Sequence, residues 1–474
     1  MDIKNITQKY RKIRAIKVSD LNLNSIKKIA FAFAIWINKD EILIARDNTP
    51  QGEYYRKPII EGLIRGGCKI VDLEISPLPI LIYAINKLNI AGAIYLSGIN
   101  DEEREYSVNL LTKNILISEA EFGEIMRLYY HRNLGIDEDL DNNKEVNKIR
   151  KLNLIENYIN EIFDQIEISE VRRKNELRVI VDTGAGAGNL TLPKILNGLG
   201  CRILEVNNTL DHNMNFPRGS ALNKENLKHL ILTFWKGNFD IGFAQNRCGF
   251  NTVVLGDDFK LYDEDTMFAF VVDYYLKQKK KTKRNFVIVT NITSSLIFEE
   301  LAKKYNVQVL RLYTGAKQFK KELNKYIDKN RDYIIFKTEG PIGNALFPKF
   351  YQFNDSYFLI AKIIEILVKS GKRFSKLVSK LPKYYSFEKK VFFSNKNIDH
   401  IMDKIKEELT SEGEEVILYG KTIRFGDNED WFVVIHPSKK DESITVISDA
   451  KRESLARIYC QTTAELVKMI LSQI

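Results

Sequence analysis

The residues best placed for chemistry follow short apolar runs of the kind that form buried strands. Residues 177–181 form one such run, and a loop with glycine at positions 184, 186 and 188 comes directly after it. A dinucleotide-binding fingerprint would need a further glycine where Asn189 stands, and a Walker loop would need a lysine after its last glycine. The loop therefore indicates a tight strand-to-helix turn with close backbone packing rather than a nucleotide site.

The stretch from residue 182 to residue 193 reads Asp-Thr-Gly-Ala-Gly-Ala-Gly-Asn-Leu-Thr-Leu-Pro. It resembles the second-domain signature of the α-D-phosphohexomutases, the phosphoglucomutase/phosphomannomutase family, and the resemblance extends over essentially the whole chain. It implies three similar α/β domains and a C-terminal domain of another type, arranged around a central cleft. It also implies one loop each for a phosphoserine, a magnesium ion, a sugar and a phosphate.

The family's phosphoserine loop, Thr-Ala-Ser-His-Asn-Pro, corresponds here to Leu-Ser-Gly-Ile-Asn-Asp after a strand predicted over residues 92–96. Gly98 takes the place of the serine and Ile99 that of the histidine, whereas Asn100 is retained. Ser97 lies one residue early, and it would need a local shift because successive side chains near a strand end point to opposite faces. Glycine has no hydroxyl to phosphorylate, so the sequence predicts no catalytic residue in this loop.

The family's magnesium loop, Asp-Gly-Asp-Ala-Asp-Arg, corresponds to residues 246–251, where Asn246, Cys248 and Phe250 replace the three aspartates. Magnesium binds hard oxygen ligands, whereas a thiol is soft and a phenyl ring offers no donor atom. We therefore expect no metal site and no cofactor. Arg247 adds a positive charge beside the lost metal position, where it is a candidate to replace part of the cation's role.

Other side chains are candidates for binding a sugar phosphate or another anion. Two arginines are retained by type in the N-terminal segment, where ion pairing within the fold is an equal alternative. A glutamate stays in the loop that matches the sugar-binding loop. Histidine, serine and lysines occupy the loop that matches the phosphate-binding loop, and lysine holds phosphate only as a point charge. The candidate substrate-binding residues are Arg14, Arg46, Arg247, Glu339, Asn344, His436, Ser438, Lys439 and Lys440.

The elements that position these loops alternate between β-branched runs and amphipathic helices, which predicts an α/β fold with mixed, mainly parallel sheets. Three units of this kind precede a fourth that has an α+β pattern. A charged stretch over residues 145–168 predicts a long helix that links the first two units. The expected domain boundaries are 1–150, 151–255, 256–370 and 371–474. At 474 residues with 44% hydrophobic side chains, the chain is long enough for several full-sized cores.

Hydropathy, the spacing of cysteines and histidines, and net charge exclude or disfavour several classes of function. No apolar run approaches the roughly 20 residues that cross a bilayer, and the N-terminus lacks a signal-peptide pattern, so we expect a cytoplasmic protein with no membrane contact. The four cysteines form no CxxC pair, and the five histidines show no metal-binding spacing. A net charge of +10 favours anionic partners. The basic run at residues 277–284 contains no aromatic residue, which disfavours nucleic acid as the partner.

Three functions remain open. The nucleophile, the metal ligands and the phosphate-binding arginines are absent together, and residues that act as a unit do not compensate for one another. We therefore predict a non-catalytic phosphohexomutase homologue that binds a sugar phosphate, a second copy of itself or an active paralogue. One alternative is an active hexose-phosphate mutase that uses rearranged groups such as Ser97 and Arg247, with Mg²⁺ as a cofactor only in this case. The other is an interaction or nucleic-acid-binding protein on the same scaffold.

Overall fold

A computed structural model describes most of the chain. The described residues are 15–17, 22–38, 41–100, 105–113, 115–117, 119–131, 149–210, 217–219, 221–279, 287–312, 334–337, 345–347, 351–394, 396–438 and 442–474. They form four sheets with helices packed against them. None of the helices in these ranges is long and apolar enough to span a membrane.

Strands and helices alternate along most of the described chain. The strands are β1 (Ala15–Lys17), β2 (Glu41–Arg46), β3 (Lys69–Ile75), β4 (Gly92–Asn100), β5 (Glu105–Thr112), β6 (Ile115–Leu116), β7 (Ile149–Lys151), β8 (Arg178–Asp182), β9 (Arg202–Val206), β10 (Ile241–Gln245), β11 (Thr252–Leu255), β12 (Leu261–Tyr262), β13 (Val287–Asn291), β14 (Gln308–Leu312), β15 (Ile334–Lys337), β16 (Ala345–Phe347), β17 (Tyr351–Asn354), β18 (Tyr385–Phe392), β19 (Ile417–Tyr419), β20 (Thr422–Phe425), β21 (Trp431–Ser438) and β22 (Ser443–Ala450). The helices are α1 (Leu23–Ile37), α2 (Pro50–Arg65), α3 (Leu78–Lys87), α4 (Glu119–His131), α5 (Ile155–Phe163), α6 (Ile168–Lys174), α7 (Leu192–Gly198), α8 (Lys228–Lys236), α9 (Glu264–Lys279), α10 (Ile297–Tyr305), α11 (Ser356–Ser370), α12 (Phe374–Val378), α13 (Ile398–Ser411) and α14 (Glu453–Gln473), with a 3-10 helix at Ala187–Leu190.

The first sheet has the order β1-β5-β4-β2-β3-β7, with β6 paired to β5. β4, β2, β3 and β7 are parallel neighbours, whereas β5 runs antiparallel to both β1 and β4. Strand β2 is buried on both faces, as strands of parallel sheets usually are. Ile42 and Ile44 pack in one core with residues of α1 and α2, and Leu43 and Ala45 pack in another with residues of α3.

Two predicted elements differ from the structure. The predicted loop does not begin at Ser97, because β4 continues to Asn100 and forms a hairpin with β5. Within residues 145–168, the described part contains strand β7, helix α5 and the first residue of α6 in place of one long helix. Strand β7 joins the first sheet by pairing in parallel with β3.

The first three sheets share one topology around a central strand. In each, the next two strands of the chain add to opposite sides of the central strand, so β3 and β4 flank β2, β9 and β10 flank β8, and β14 and β15 flank β13. All six flanking strands run parallel to their central strand. From the central strand the chain crosses to one neighbour and then past the central strand to the other, so the order of the strands reverses there. Open α/β sheets bind ligands in the crevice outside the carboxyl ends of the strands at such a point. The crevices therefore lie between β2 and β4, between β8 and β10, and between β13 and β15.

Buried tyrosines join the three α/β domains. The rings of Tyr83 on α3 and Tyr158 on α5 pack edge to face with centroids 5.5 Å apart. Tyr158 packs in the same way against Tyr357 on α11, at 6.0 Å, and its hydroxyl donates to Asp355 Oδ2 at 2.6 Å. Such aromatic pairs favour one relative orientation of the elements that carry them.

The fourth sheet is antiparallel throughout, with the order β18-β22-β21-β20-β19. Helices α13 and α14 cover one of its faces. On the other face, Phe432 and Val434 pack against Ile292 and Leu296 of the third domain. Three α/β units with mainly parallel strands and a different C-terminal unit confirm the fold class that the sequence predicts.

Candidate active site

The crevice between β2 and β4 holds a buried carboxylate. Asp47 directly follows β2 and is fully buried, and its backbone N donates to Leu96 O on β4 at 2.9 Å. The carboxylate accepts from Thr49 N at 3.0 Å and from Thr49 Oγ1 at 2.5 Å. These bonds fix the turn that leads into α2, so the position of the carboxylate is set by the local backbone.

Ser97 lies on the neighbouring strand, β4, within a polar cross-strand cluster. Its Oγ is 3.3 Å from Ser107 Oγ and accepts from Asn109 Nδ2 at 3.3 Å. Ser97 shares a strand face with Tyr95, because side chains two residues apart point to the same side. Burial raises the pKa of Tyr95, and the nearby Cys248 thiol adds to that shift. The Ser97 side chain therefore points to the side of the sheet on which the second domain's loop lies.

The glycine loop of the second domain lies so close to the loop after β10 that no side chain would fit between them. A Cβ on Gly186 would lie 2.4 Å from Arg247 O, and Ala187 N donates to that same oxygen at 2.8 Å. Gly184 and Ala185 have left-handed φ angles of 59° and 55°. The loop is thus a tight turn between β8 and the 3-10 helix, as the sequence indicates, and it supports the loop that contains Arg247.

The loop after β10, residues 246–251, is closed by its own hydrogen bonds. Asn246 Oδ1 accepts from Phe250 N at 2.9 Å and from Asn251 N at 3.0 Å, so this oxygen is turned into the loop. Burial raises the pKa of the Cys248 thiol to about 12, which keeps it neutral. These residues do not fit magnesium, which needs outward-facing hard oxygen ligands. In the described part of the chain, no group of three or more His, Cys, Asp or Glu residues could hold a metal ion.

Arg247 is a buried cation at the meeting point of the first two crevices. Its side chain is 5% exposed, and burial lowers the pKa of its guanidinium to about 9, although the Asp47 carboxylate opposes the shift. The guanidinium is therefore protonated at neutral pH. Asn48 Nδ2 donates to Ala185 O at 2.7 Å and so ties the loop after β2 to the glycine loop. The two domains thus bring a buried acid and a buried cation to one place.

Arg46 is ion-paired within its own domain and also borders a cavity. Its Nη2 lies 2.7 Å from Glu53 Oε2, and its Nη1 donates to Asp47 O at 3.1 Å. The cavity has a volume of about 580 Å³, which is within the usual range for small-molecule sites. It opens at the carboxyl ends of β3 and β7, and its polar lining residues are Arg46, Glu74, Ser76, Lys151 and Asn153.

A second buried arginine, which the sequence analysis missed, fills the crevice of the second sheet. Arg218 Nε donates to Asp182 Oδ1 at 3.0 Å, and Nη2 donates to Gln245 O at 2.6 Å. These acceptors end β8 and β10, so one guanidinium bridges both strand ends. Arg218 lies in the long connection between β9 and α8, and no motif around it marks the position in the sequence.

The remaining predicted residues are on other elements or cannot be placed. Five of them lie outside the described residues, namely Arg14, Glu339, Asn344, Lys439 and Lys440. Gly98 and Asn100 are part of β4, and the structure describes their backbone alone. His436 and Ser438 lie on β21 of the fourth sheet, where His436 Nδ1 is 2.8 Å from Thr422 Oγ1.

Three family models match successive parts of the chain. "Phosphoglucomutase/phosphomannomutase, alpha/beta/alpha domain I" matches residues 5–129, domain II of the same family matches residues 156–246, and domain III matches residues 263–385. The matched ranges contain every strand of the first three sheets except β7, β11 and β12. The family models therefore indicate three successive α/β domains, as the topology of the first three sheets does.

Curated relatives are similar to the chain over nearly its full length. A phosphoglucomutase/phosphomannomutase of Thermococcus kodakarensis is 28% identical and covers 97% of this chain and 98% of its own. A phosphoglucosamine mutase of Methanococcus aeolicus is 25% identical, with 96% and 97% covered. A phosphoglucosamine/phosphogalactosamine mutase of Sulfurisphaera tokodaii is 24% identical, with 96% and 98% covered.

Solved structures share the fold of the whole chain. A phosphoglucomutase/phosphomannomutase family protein of Burkholderia thailandensis superposes with a TM-score of 0.75 at 18% identity, covering 98% of both chains. Parafusin, a phosphoglucomutase of Paramecium, superposes with a TM-score of 0.68 at 12% identity, covering 96% of this chain and 94% of its own. At these identities the likeness concerns the arrangement of the four domains.

Proposed function

Because this chain belongs to the phosphoglucomutase/phosphomannomutase family, we propose that it is an active hexose-phosphate mutase, which moves a phosphoryl group between two hydroxyls of a sugar phosphate. The prediction of a non-catalytic homologue is wrong, because relatives that match nearly the whole chain are named as phosphoglucomutase/phosphomannomutase and as phosphoglucosamine mutases. The same relatives support the alternative drawn from the sequence, a mutase that works with rearranged groups.

The observation that carries the proposal is the meeting of Arg247 and Asp47 where two ligand-binding crevices join. Phosphoryl transfer is accelerated mainly by positioning and by stabilisation of the charge on the transferred group. A protonated guanidinium in a site with little water supplies that charge, and its planar fork can bind two phosphoryl oxygens at once. Arg247 is assigned this role, and Asp47 is assigned the role of orienting it.

Ser97 is assigned as the residue that carries the phosphoryl group between the two positions of the sugar. Its hydroxyl is already polarised by Asn109 and Ser107, and it points to the side on which the second domain lies. In one half-reaction the bond from Ser97 Oγ to phosphorus forms as the sugar O–P bond breaks, and the serine proton passes to the sugar oxygen. The reverse transfer to the second sugar hydroxyl completes the isomerisation.

Residues 246–251 do not fit the Mg²⁺ that was expected for an active mutase, so the proposed roles of Ser97, Arg247 and Asp47 are derived without a metal ion. The substrate class is a hexose phosphate, and the names of the relatives make phosphates of glucose, mannose and glucosamine the first to test. The cytoplasmic location expected from the sequence remains part of this proposal.

Transfer of label to the protein tests the assignment of Ser97. The protein is incubated with ³²P-labelled glucose 1,6-bisphosphate, digested, and the labelled peptide is identified by mass spectrometry. We expect label on Ser97 in the unaltered protein, slower labelling of Ser97 in Ser107→Ala, which removes a hydroxyl that polarises Ser97, and no label in Ser97→Ala. An unlabelled native protein, or a Ser97→Ala variant labelled as fast as the native one, would contradict the assignment.

A further inference from the structure

The cavity of about 580 Å³ lies beside the candidate active site, where the first domain meets the second. The ends of β3 and β7 line it together with Arg46, and Leu190 and Leu210 line it from the second domain. In the first sheet, β3 and β7 lie on the opposite side of β2 from β4. Ser97 is on β4, so the cavity is separate from the crevice that the proposed reaction uses.

Ser76 brings a buried hydroxyl without a partner to this cavity. The residue is 2% exposed, its backbone N donates to Arg46 O at 3.0 Å, and its backbone O accepts from Tyr95 Oη at 3.1 Å. Among the residues that the structure describes, none hydrogen-bonds the Ser76 hydroxyl. Buried polar groups are nearly always hydrogen-bonded, because an unsatisfied one has lost its bonds to water. A molecule in the cavity would supply the missing partner.

Three polar side chains that are more exposed than Ser76 also line the cavity. Asn153 Oδ1 accepts from Ile155 N at 3.0 Å, and the amide nitrogen of Asn153 donates to no described residue. Glu74 and Lys151 form an ion pair between the ends of β3 and β7, and both side chains are more than half exposed. Glu74 has a left-handed φ of 54°, which is uncommon for residues other than glycine and is found at ligand-binding sites.

The charges around the cavity disfavour a phosphate as its ligand. Arg46 Nη2 is paired with Glu53, and Arg46 Nη1 donates to Asp47 O, so this guanidinium has no free fork for phosphate oxygens. The Lys151 ammonium is paired with the Glu74 carboxylate, which repels an anion. The rest of the lining is largely apolar and includes Leu152, Leu154, Ile155, Leu190 and Leu210.

We propose that this cavity is a binding site for a neutral sugar, in addition to the site of phosphoryl transfer. Sugar hydroxyls both donate and accept hydrogen bonds, so they match the Ser76 hydroxyl, the Asn153 amide and the Glu74 carboxylate. The C–H face of the sugar ring packs against the apolar lining, and the volume is in the usual range for small-molecule sites. The inference rests on these residues and does not depend on whether the protein is a mutase.

Titration of the protein with glucose, followed by saturation-transfer difference NMR, tests the site without any phosphorylated sugar. Ser76→Ala removes the unpartnered hydroxyl, and Asn153→Asp keeps the acceptor for Ile155 N but loses the amide donor. The matched control is Ser472→Ala, which removes an exposed hydroxyl near the end of α14. A lost neutral hydrogen bond corresponds to a rise in Kd of roughly threefold to tenfold. We expect that rise for the first two variants and native binding for the control.

Urea unfolding checks that each variant is folded, and Ser76→Ala should not unfold earlier than the native protein, because no described residue hydrogen-bonds the hydroxyl that it removes. Three results would overturn the inference. The first is no saturable binding of glucose by the native protein, and the second is the same Kd in Ser76→Ala, Asn153→Asp and Ser472→Ala. The third is displacement of glucose by an equal concentration of inorganic phosphate, which would show that the cavity binds anions.

Discussion

At the scale of single residues, burial decides what each arginine can do. Arg218 donates to a carboxylate and to backbone carbonyls at the ends of β8 and β10, so its charge holds these strand ends together. Arg247 is equally buried but faces the Asp47 carboxylate across the domain boundary. Because its guanidinium is protonated at neutral pH, it is the group best placed to stabilise a phosphoryl group.

Replacing Arg247 tests this role. Removing one preorganised charge donor typically lowers kcat by roughly 10²–10³-fold, and we expect a loss of that size in Arg247→Met with a smaller change in KM. Arg247→Lys keeps the charge but loses the fork, so it should retain more activity. Steady-state kinetics measure both effects, and urea unfolding checks that the variants are folded. A folded Arg247→Met with kcat within twofold of native would refute the role.

Sequence reasoning found the residues that lie in matched loops and missed those that lie outside them. Arg247 could be identified because it stands inside the stretch that corresponds to the magnesium loop. Arg218 could not, because its partners Asp182 and Gln245 are distant in sequence and meet it through the fold alone. The sequence also indicated that Ser97 was displaced, but its polar neighbours come from β5, whose pairing the local pattern does not reveal.

At the scale of elements, the glycine loop after β8 determines where Arg247 lies. The backbone at Gly186 and Ala187 contacts Arg247 O directly. The glycine loop and the loop after β10 therefore pack backbone against backbone, with no side chain between them. A turn of this kind tolerates little added volume, because the neighbouring atoms belong to the backbone.

Adding one methyl group at Gly186 should therefore destabilise the protein. In Gly186→Ala the Cβ would lie 2.4 Å from Arg247 O, so the backbone would have to move to remove the clash. Overpacking of this kind costs about 1–3 kcal/mol. The matched control is Gly123→Ala in α4, where nothing lies within 4 Å and alanine favours the helix. Urea unfolding midpoints should fall for the first variant and not for the second. Equal midpoints would show that the loop can relax.

The two predicted elements that differ from the structure, the loop from Ser97 and the helix over residues 145–168, fail for one reason. The errors at β4 and β7 both concern strand residues whose pairing partners lie elsewhere in the chain. Strand propensity depends on such tertiary context, so the residues 145–168 show a helical charge pattern although part of them pairs with β3.

At the scale of the whole molecule, a buried carboxylate lies where the fourth domain docks on the third. Asp449 is 1% exposed and accepts from Leu296 N at 2.9 Å and from Ser295 Oγ at 3.2 Å. Burial raises the pKa of Asp449 to about 6, although these hydrogen bonds oppose the shift. Arg424 Nη1 donates to Ile292 O at 2.5 Å beside it. The contact is therefore polar at its centre and sensitive to pH.

The raised pKa fixes the direction of the pH effect. The usual pKa of this carboxyl is 3.8 and the folded value is about 6, so the stability it contributes is complete below about pH 4 and is lost as pH rises through about 6. The full shift corresponds to about 3 kcal/mol as an upper bound. Asp449→Asn is uncharged throughout, so the native protein should lose stability relative to this variant between pH 4.5 and pH 7.5.

Urea unfolding midpoints at these two pH values measure the difference. The matched control is Asp430→Asn, because the Asp430 side chain is 63% exposed and its charge is not desolvated. We expect the gap between the native protein and Asp449→Asn to change with pH and the gap for Asp430→Asn to stay nearly constant. A gap for Asp449→Asn that is the same at both pH values would contradict the assigned pKa.

The domain arrangement itself could be predicted, because the resemblance of one loop extended to the whole chain and the structure shows the same four units. The activity could not be predicted in this way. The loss of matched catalytic residues argued against turnover, whereas Asp47 and Arg247, on which the proposed function rests, approach each other from two domains and lie in no common motif.

The most direct test of the mutase proposal is the ³¹P NMR spectrum of glucose 1-phosphate with the native protein and a trace of glucose 1,6-bisphosphate. The same sample is measured with EDTA and with Ser97→Ala in place of the native protein. We predict that the native protein forms glucose 6-phosphate, that EDTA leaves the rate unchanged, and that Ser97→Ala forms none. No conversion of glucose, mannose or glucosamine 1-phosphate by the native protein, with or without added Mg²⁺, would contradict the proposed function.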